Sequence, residues 1–189
     1  MKKLHLLITG KSPMLMHSDR LADPLNPLTK AHKELTAKRK KTDEDQIAIA
    51  RSEFIAGAYW SADKGFFVPA QNLDSCLILA AKLQKLGVKF KQGVQVLEDE
   101  LPLLEKLPAT PQLMWEDSEY IDARGVKVGQ AKIIRYRPIL KRWSVKATVL
   151  FNEDVVNASE VRKAIEDAGA LIGLCDYRPR FGRFTTEIN

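Results

Sequence analysis

Cysteine is scarce in this chain: Cys76 and Cys175 are its only two. They stand far apart, so no disulfide framework and no zinc-ligand spacing can be built from them. Their apolar surroundings predict buried free thiols in a reducing cytoplasm. Histidine is almost as scarce, and His5, His17 and His32 form no ligand cluster. The sequence has no phosphate-binding Walker loop, no dinucleotide glycine fingerprint and no H-E-x-x-H pair. No apolar run approaches the ~20 residues that span a bilayer, so no membrane partner is expected. Glycine and proline, at 10 and 9 residues, are too few for a collagen-like or linker-like chain. Lys2 and Lys3 precede apolar residues, but Thr9-Gly10-Lys11 closes that run without a small-residue cleavage site. A first strand is predicted there instead of a signal peptide.

With 189 residues, 45% of them apolar, the chain has the material for a core. Residues 2–9 read as a buried strand and 10–26 as a long loop. Residues 27–41 read as a basic, weakly amphipathic helix. Thr42 followed by Asp43, Glu44 and Asp45 predicts a capped helix start, with Ile47, Ala50, Phe54 and Ala58 as its apolar stripe. A turn at 62–65, a strand at 66–68 and a buried helix from about 72 to 86, capped by Gly87, come next. Residues 93–97 suit a strand, and Trp115 to Tyr120 a loop. Residues 124–140 read as strand, with Val126, Val128, Ile133, Ile134, Tyr136 and Ile139. Residues 143–151 alternate cleanly between apolar and polar. Asn157, with Glu160 three positions on, predicts a capping box for a helix bearing Val161, Ile165 and Ala168. A last strand runs from 183 to 188. The plan is an α+β chain with a ferredoxin/RRM-like βαββαβ antiparallel sheet. It is expected to form a single domain over 1–189, with a helical insertion at 27–62 after the first strand.

Charge is unevenly placed. The net charge is +6, and between Asp122 and Glu153 there is no acidic residue at all. That interval carries Arg124, Lys127, Lys132, Arg135, Arg137, Lys141, Arg142 and Lys146. Closely spaced cations suit a phosphate-tracking stripe, because each neutralised phosphate releases counterions; a solvated strand pair protected by edge lysines is the other reading. Tyr136 lies within the stripe and could stack a base, whereas Trp143, with apolar strand partners, is expected in the core. A second cluster, Lys30, Lys33, Lys38, Arg39, Lys40 and Lys41, is either a solvated face or an arm that clamps nucleic acid.

A third feature is the segment GLCDYRPRFGRF, residues 173–184. Arg178, Arg180 and Arg183 alternate with Tyr177, Phe181 and Phe184. Arginine makes bidentate contacts to phosphate and stacks on bases. Gly173 and Gly182 would let the backbone approach a ligand closely, and Phe184 is expected in the core. Catalytic chemistry is sparse. His17, near Ser18, Asp19 and Asp23, could act as a general base on a ribose hydroxyl, but no matched partner is visible. The acidic runs 43–45 and 98–100 are explained by a helix start and a solvated loop, so neither a metal nor another cofactor is expected.

Three stretches resemble the RAMP superfamily, the RRM-fold proteins of CRISPR systems that bind guide RNA. ITGKSPMLMHS (8–18) resembles the opening strand and its turn. FFVPAQNLDSCLILAAKL (66–83) resembles the strand, Val-Pro turn and buried helix. GLCDYRPRFGRF resembles the C-terminal glycine-rich loop. They occur in the family's order and cover about a quarter of the chain. Ala70 and Asn72 depart from the usual Gly and Ser of the Pro-Gly-x-Ser-type turn, and Cys175 stands where the loop often has another Gly. The resemblance is closest to the backbone-forming subunits, although the chain is short for one; small solitary proteins of this kind occur in phages. It implies nucleic-acid contacts at Arg178, Arg180 and Arg183, and at Lys11 and His17.

The function expected from these readings is non-catalytic binding of single-stranded DNA or RNA, with copies lining up along the strand as a homo-oligomer or filament. The residues expected to bind are Lys11, His17, Lys38, Arg39, Lys40, Lys127, Lys132, Arg135, Tyr136, Arg137, Arg142, Tyr177, Arg178, Arg180 and Arg183. Two alternatives stand beside it: a metal-independent endoribonuclease of RAMP type, and a phage protein that interacts with or mimics a CRISPR assembly.

Overall fold

The computed structural model describes residues 1–189, the side chain of Val128 excepted. Its strands are β1 (Lys2–Gly10), β2 (Met14–Leu15), β3 (Trp60–Ser61), β4 (Gly65–Pro69), β5 (Val94–Val96), β6 (Glu100–Pro102), β7 (Ile121–Val128), β8 (Ala131–Leu140), β9 (Ser144–Phe151) and β10 (Phe184–Ile188). Its α-helices are α1 (Pro27–Thr36), α2 (Asp43–Gly57), α3 (Ala70–Leu83), α4 (Gly87–Gly93), α5 (Pro111–Trp115) and α6 (Ala158–Asp167). The fold is α+β, and its paired strands run antiparallel. The chain divides into two compact units, one of Met1–Met14, Phe66–Lys106 and Leu140–Asn189, the other of Leu15–Gly65 and Leu107–Ile139. The segment 27–62, expected as a helical insertion, falls in the second unit together with 107–139. Among the described residues no helix is long and apolar enough to cross a membrane.

In the first unit a four-stranded sheet has the order β10-β1-β9-β5. Period-two burial explains its middle strands. Leu4, Leu6 and Ile8 of β1 and Val145, Ala147, Val149 and Phe151 of β9 are buried, while Lys3, His5 and Lys146 are exposed. The register pairs Leu6 with Ala147 on one side and with Ile188 on the other. Helix α3 lies between β1 and β5 in the chain and buries Leu73, Cys76, Leu77, Ala80 and Ala81. The two leucines contribute ~1.5–3 kcal/mol each when fully buried. The Asp74 carboxylate fixes α3 against β5 by accepting from the Val96 N–H at 2.8 Å. Helix α6 lies between β9 and β10 and starts at the expected capping box: Asn157 Oδ1 accepts from Glu160 N, and Glu160 Oε2 from Asn157 N. Beyond β5, the Glu98 carboxylate accepts from Thr148 N, and Glu105 takes both the N–H and the hydroxyl of Ser144. These acids satisfy the β9 edge that β5 is too short to cover.

The second unit is built from α1, α2, α5 and the β7–β8 hairpin. Asn26 caps α1, with Pro27 in its first turn, and Thr42 and Asp45 form a capping box on α2. Residues 124–140, expected as one strand, are two. Gly129 takes a positive φ of 58° and turns the chain, so that Lys127 faces Lys132, Arg124 faces Arg135 and Asp122 faces Arg137. Trp115, expected in a loop, ends α5, which Thr110 caps through Leu113 N at 3.2 Å. The helix expected to reach residue 86 stops at Leu83; Lys85 takes a φ of 61°, and Gly87 begins α4 rather than ending α3.

Candidate nucleic-acid interface

Three chain segments meet at one end of the four-stranded sheet: the exit of β1, the entry of β9 and the loop that leads into β10. Gly10 N–H donates to Trp143 O at 2.9 Å, and the Trp143 indole N–H donates to Ser12 O at 2.9 Å. Trp143 is itself buried, as its strand pattern predicts. Arg183 O accepts from both Lys11 N (2.7 Å) and Ser12 N (3.2 Å), and Arg183 N donates to Ser12 Oγ at 3.0 Å. The loop from 173 to 183 therefore starts and ends on fixed backbone.

The loop also closes on itself. Leu174 N donates to Gly182 O and Gly182 N to Pro13 O, both at 2.8 Å. Gly182 has φ +75°, and a Cβ there would collide with the Leu174 backbone; at Gly173, φ +84°, a Cβ would stand 2.7 Å from Phe181 O. The loop's own closure requires glycine at both positions. Gly182→Ala should destabilise the protein by about 3 kcal/mol, from positive-φ strain plus backbone collision, read as a lower urea midpoint. Phe181 and Phe184 are buried, so the loop's aromatics mostly close the core. Tyr177 is the exposed one and makes an edge contact to Phe181 at 5.8 Å.

This packing pushes the basic side chains outward. Arg178, Arg180 and Arg183 are exposed, as are Lys11 after β1 and Arg142 before β9. None of these five forms an ion pair among the described residues. Only the Arg183 guanidinium is tied down, to Pro179 O at 2.9 Å. The polar face of the sheet offers Lys3, His5, Thr9, Lys146, Thr148, Thr185 and Glu187. Among the described residues it carries no Phe, Tyr or Trp, and His5 is its one aromatic ring, so it lacks the multi-ring stacking platform of many single-strand binders.

The remaining expected residues lie in the second unit, and several are already engaged. Arg137 is 4% exposed and sits opposite buried Asp122, so it is not available to a phosphate in solvent. Its place in the phosphate-tracking stripe is therefore corrected. Arg135 pairs with Glu53, and Arg124 with Asp122 at 2.6 Å. Lys38 pairs with Asp45 at 2.6 Å, and that ammonium holds the Asp45 carboxyl below its usual range. Arg39, Lys40, Lys127 and Lys132 are exposed. Tyr136 is half-buried, with its ring edge-on to Trp115. Of the eight cations of the interval, Arg124 to Arg137 belong to one unit and Lys141 to Lys146 to the other.

The histidines stay separate. His5 Nδ1 lies 3.3 Å from Thr148 Oγ1, His17 is exposed with its carbonyl held by the Tyr59 hydroxyl, and burial pulls the His32 pKa down. Among the described residues no group of three His, Cys, Asp or Glu side chains could hold a metal ion. Both thiols are free and buried, Cys76 on α3 and Cys175 in the arginine loop itself. Cys76 Sγ donates to Gly173 O at 3.2 Å, and Asn72 Nδ2 donates to Cys175 Sγ at 3.5 Å. Burial pushes both thiols up to about 12. At pH 8 neither should react with a maleimide until the protein is denatured, when both should label, as read by intact mass.

Sequence reasoning missed Glu53, which is 5% exposed and accepts from Arg135 and from Tyr136 N at 2.9 Å. A signal was present: an acid beside Ala50 and Phe54 on the apolar side of a helix needs a partner. No protein-family model matches the chain, and no curated protein matches it.

Proposed function

We propose that the chain binds single-stranded nucleic acid without cleaving it, through the basic loop end of an RRM-like unit of RAMP type. The observation that carries this reading is the gathering of Lys11, Arg142, Arg178, Arg180 and Arg183 at one sheet end, exposed and, among the described residues, outside any ion pair. Accessible guanidinium groups suit a polyanion, since bidentate contacts to phosphate need no competing carboxylate to be displaced. The order β10-β1-β9-β5, with α3 and α6 as the two crossovers, supports the RRM-like part of the reading. The loop's place between helix α6 and strand β10 supports the RAMP part, where the resemblance puts its nucleic-acid contacts. Repeated copies along one strand would give cooperative binding.

The test is fluorescence anisotropy with labelled single-stranded DNA, single-stranded RNA and duplex DNA across a salt series. Tight binding to a single strand that falls steeply with salt supports the proposal. Weak binding that is indifferent to strand type rejects it.

A further inference from the structure

The second unit contains an apolar groove of about 490 Å³, within the ~300–1,000 Å³ range of small-ligand sites. Its walls come from α2, α5 and β8, through Gln46, Ile47, Trp115, Ile134 and Tyr136. Ile47 is 59% exposed and Ile134 54%, although both are branched aliphatics. The two rings are half-buried. Trp115 meets Phe54 at 5.3 Å and Tyr136 at 6.2 Å, both edge-on, so neither is covered by a parallel stacked ring. Gln46 brings an amide that can donate and accept, and no side-chain hydrogen bond occupies it among the described residues.

The groove is fixed from below. The Glu53 carboxylate accepts from Arg135 and from Tyr136 N–H, which holds β8 against α2 and leaves that buried acid neutralised. The same hairpin that supplies Ile134 and Tyr136 places Lys127 directly opposite Lys132. Like charges opposed across strands repel, and both ammonium groups are exposed. A phosphate between them would relieve that repulsion. An aromatic and aliphatic slot with one amide, and two opposed cations on the hairpin that lines it, match the two halves of a nucleotide.

We propose that this groove receives an unstacked base of the bound single strand, held against Tyr136 and Trp115, while Lys127 and Lys132 take the adjoining phosphate. This rests on the strand-binding reading and adds to it a second contact, one that recognises bases and not only charge.

The experiment compares two dye-labelled single strands of equal length on the whole chain at fixed salt, one a thymidine homopolymer and one abasic throughout. Stacking contributes ~1–3 kcal/mol per base, so the abasic strand should bind roughly tenfold more weakly. The thymidine strand should quench tryptophan emission, the abasic strand should not, and Trp115→Phe should abolish the quenching. Tyr136→Ala should reproduce the abasic deficit on the thymidine strand. Because Tyr136 packs on Trp115, Ile134→Ala at the exposed rim serves as the second variant, with a deficit of a few-fold. Equal affinity for the two strands, with no Trp115-dependent quenching, overturns the groove proposal and leaves strand binding standing. Failure of every strand to bind overturns both.

Discussion

Changing Arg178 and Arg180 together to glutamate should weaken single-strand binding on the order of 10²-fold near physiological salt and reduce the log–log salt slope by about two. Both side chains are exposed, and the loop is closed by main-chain bonds from Leu174, Gly182 and Pro13. The fold should therefore survive, with a thermal midpoint near that of the wild type. Each reversal removes a phosphate partner and adds a repulsive charge, so the effect should exceed that of neutral Gln variants. Lys2→Gln gives the comparison. Lys2 is bridged to Glu153 at 3.1 Å in an exposed pair, and its loss should leave binding and stability nearly unchanged. Equal binding by the wild type and the double reversal would remove the loop from the interface.

Glu53→Ala should have the largest effect on stability. Glu53 is buried and takes two hydrogen bonds, while its partner Arg135 is 30% exposed. Removing the acid strands the Tyr136 N–H and leaves a half-buried guanidinium without its counter-charge. Losing one member of a buried pair costs about 3–5 kcal/mol, and the exposure of Arg135 favours the lower end. Urea unfolding should show the midpoint falling accordingly. Glu53→Gln should lose less, because the amide oxygen still accepts from Tyr136 N–H. Hydrogen exchange should place the damage in α2 and the β7–β8 hairpin, with β1 and β9 remaining protected. An unchanged midpoint in Glu53→Ala would mean that solvent already satisfies this pair.

What was legible in the sequence was local. Thr42 and Asn157 announce their helices because a capping box needs only residues three apart. Strand β9 announces itself by alternation, and Trp143 and Phe184 by the apolar company they keep. The hairpin was hidden because β-branched residues continue on both sides of Gly129, and the lone glycine in Val-Gly-Gln-Ala is a weak turn signal. Arg137 looked like its neighbours because burial depends on register: opposite Asp122 it is enclosed, while Lys132, five positions earlier on the same strand, is in solvent. The basic loop was legible as composition, but its gathering with Lys11 and Arg142 required the pairing of β1 with β9 and β10. The groove could not be foreseen, since Gln46, Trp115 and Ile134 come from three separate elements.

The threading of the first unit bears on how the protein is made. Strand β1 is flanked by β9 and β10, both from Leu140–Asn189. On a ribosome β1 emerges more than a hundred residues before β9 and β10, the partners it waits for. Meanwhile Leu4, Leu6 and Ile8 face water on an unpaired strand, a template for mispairing with a neighbouring nascent chain. High contact order of this kind slows folding. Yield on expression should therefore depend more on temperature and translation rate than the final stability suggests.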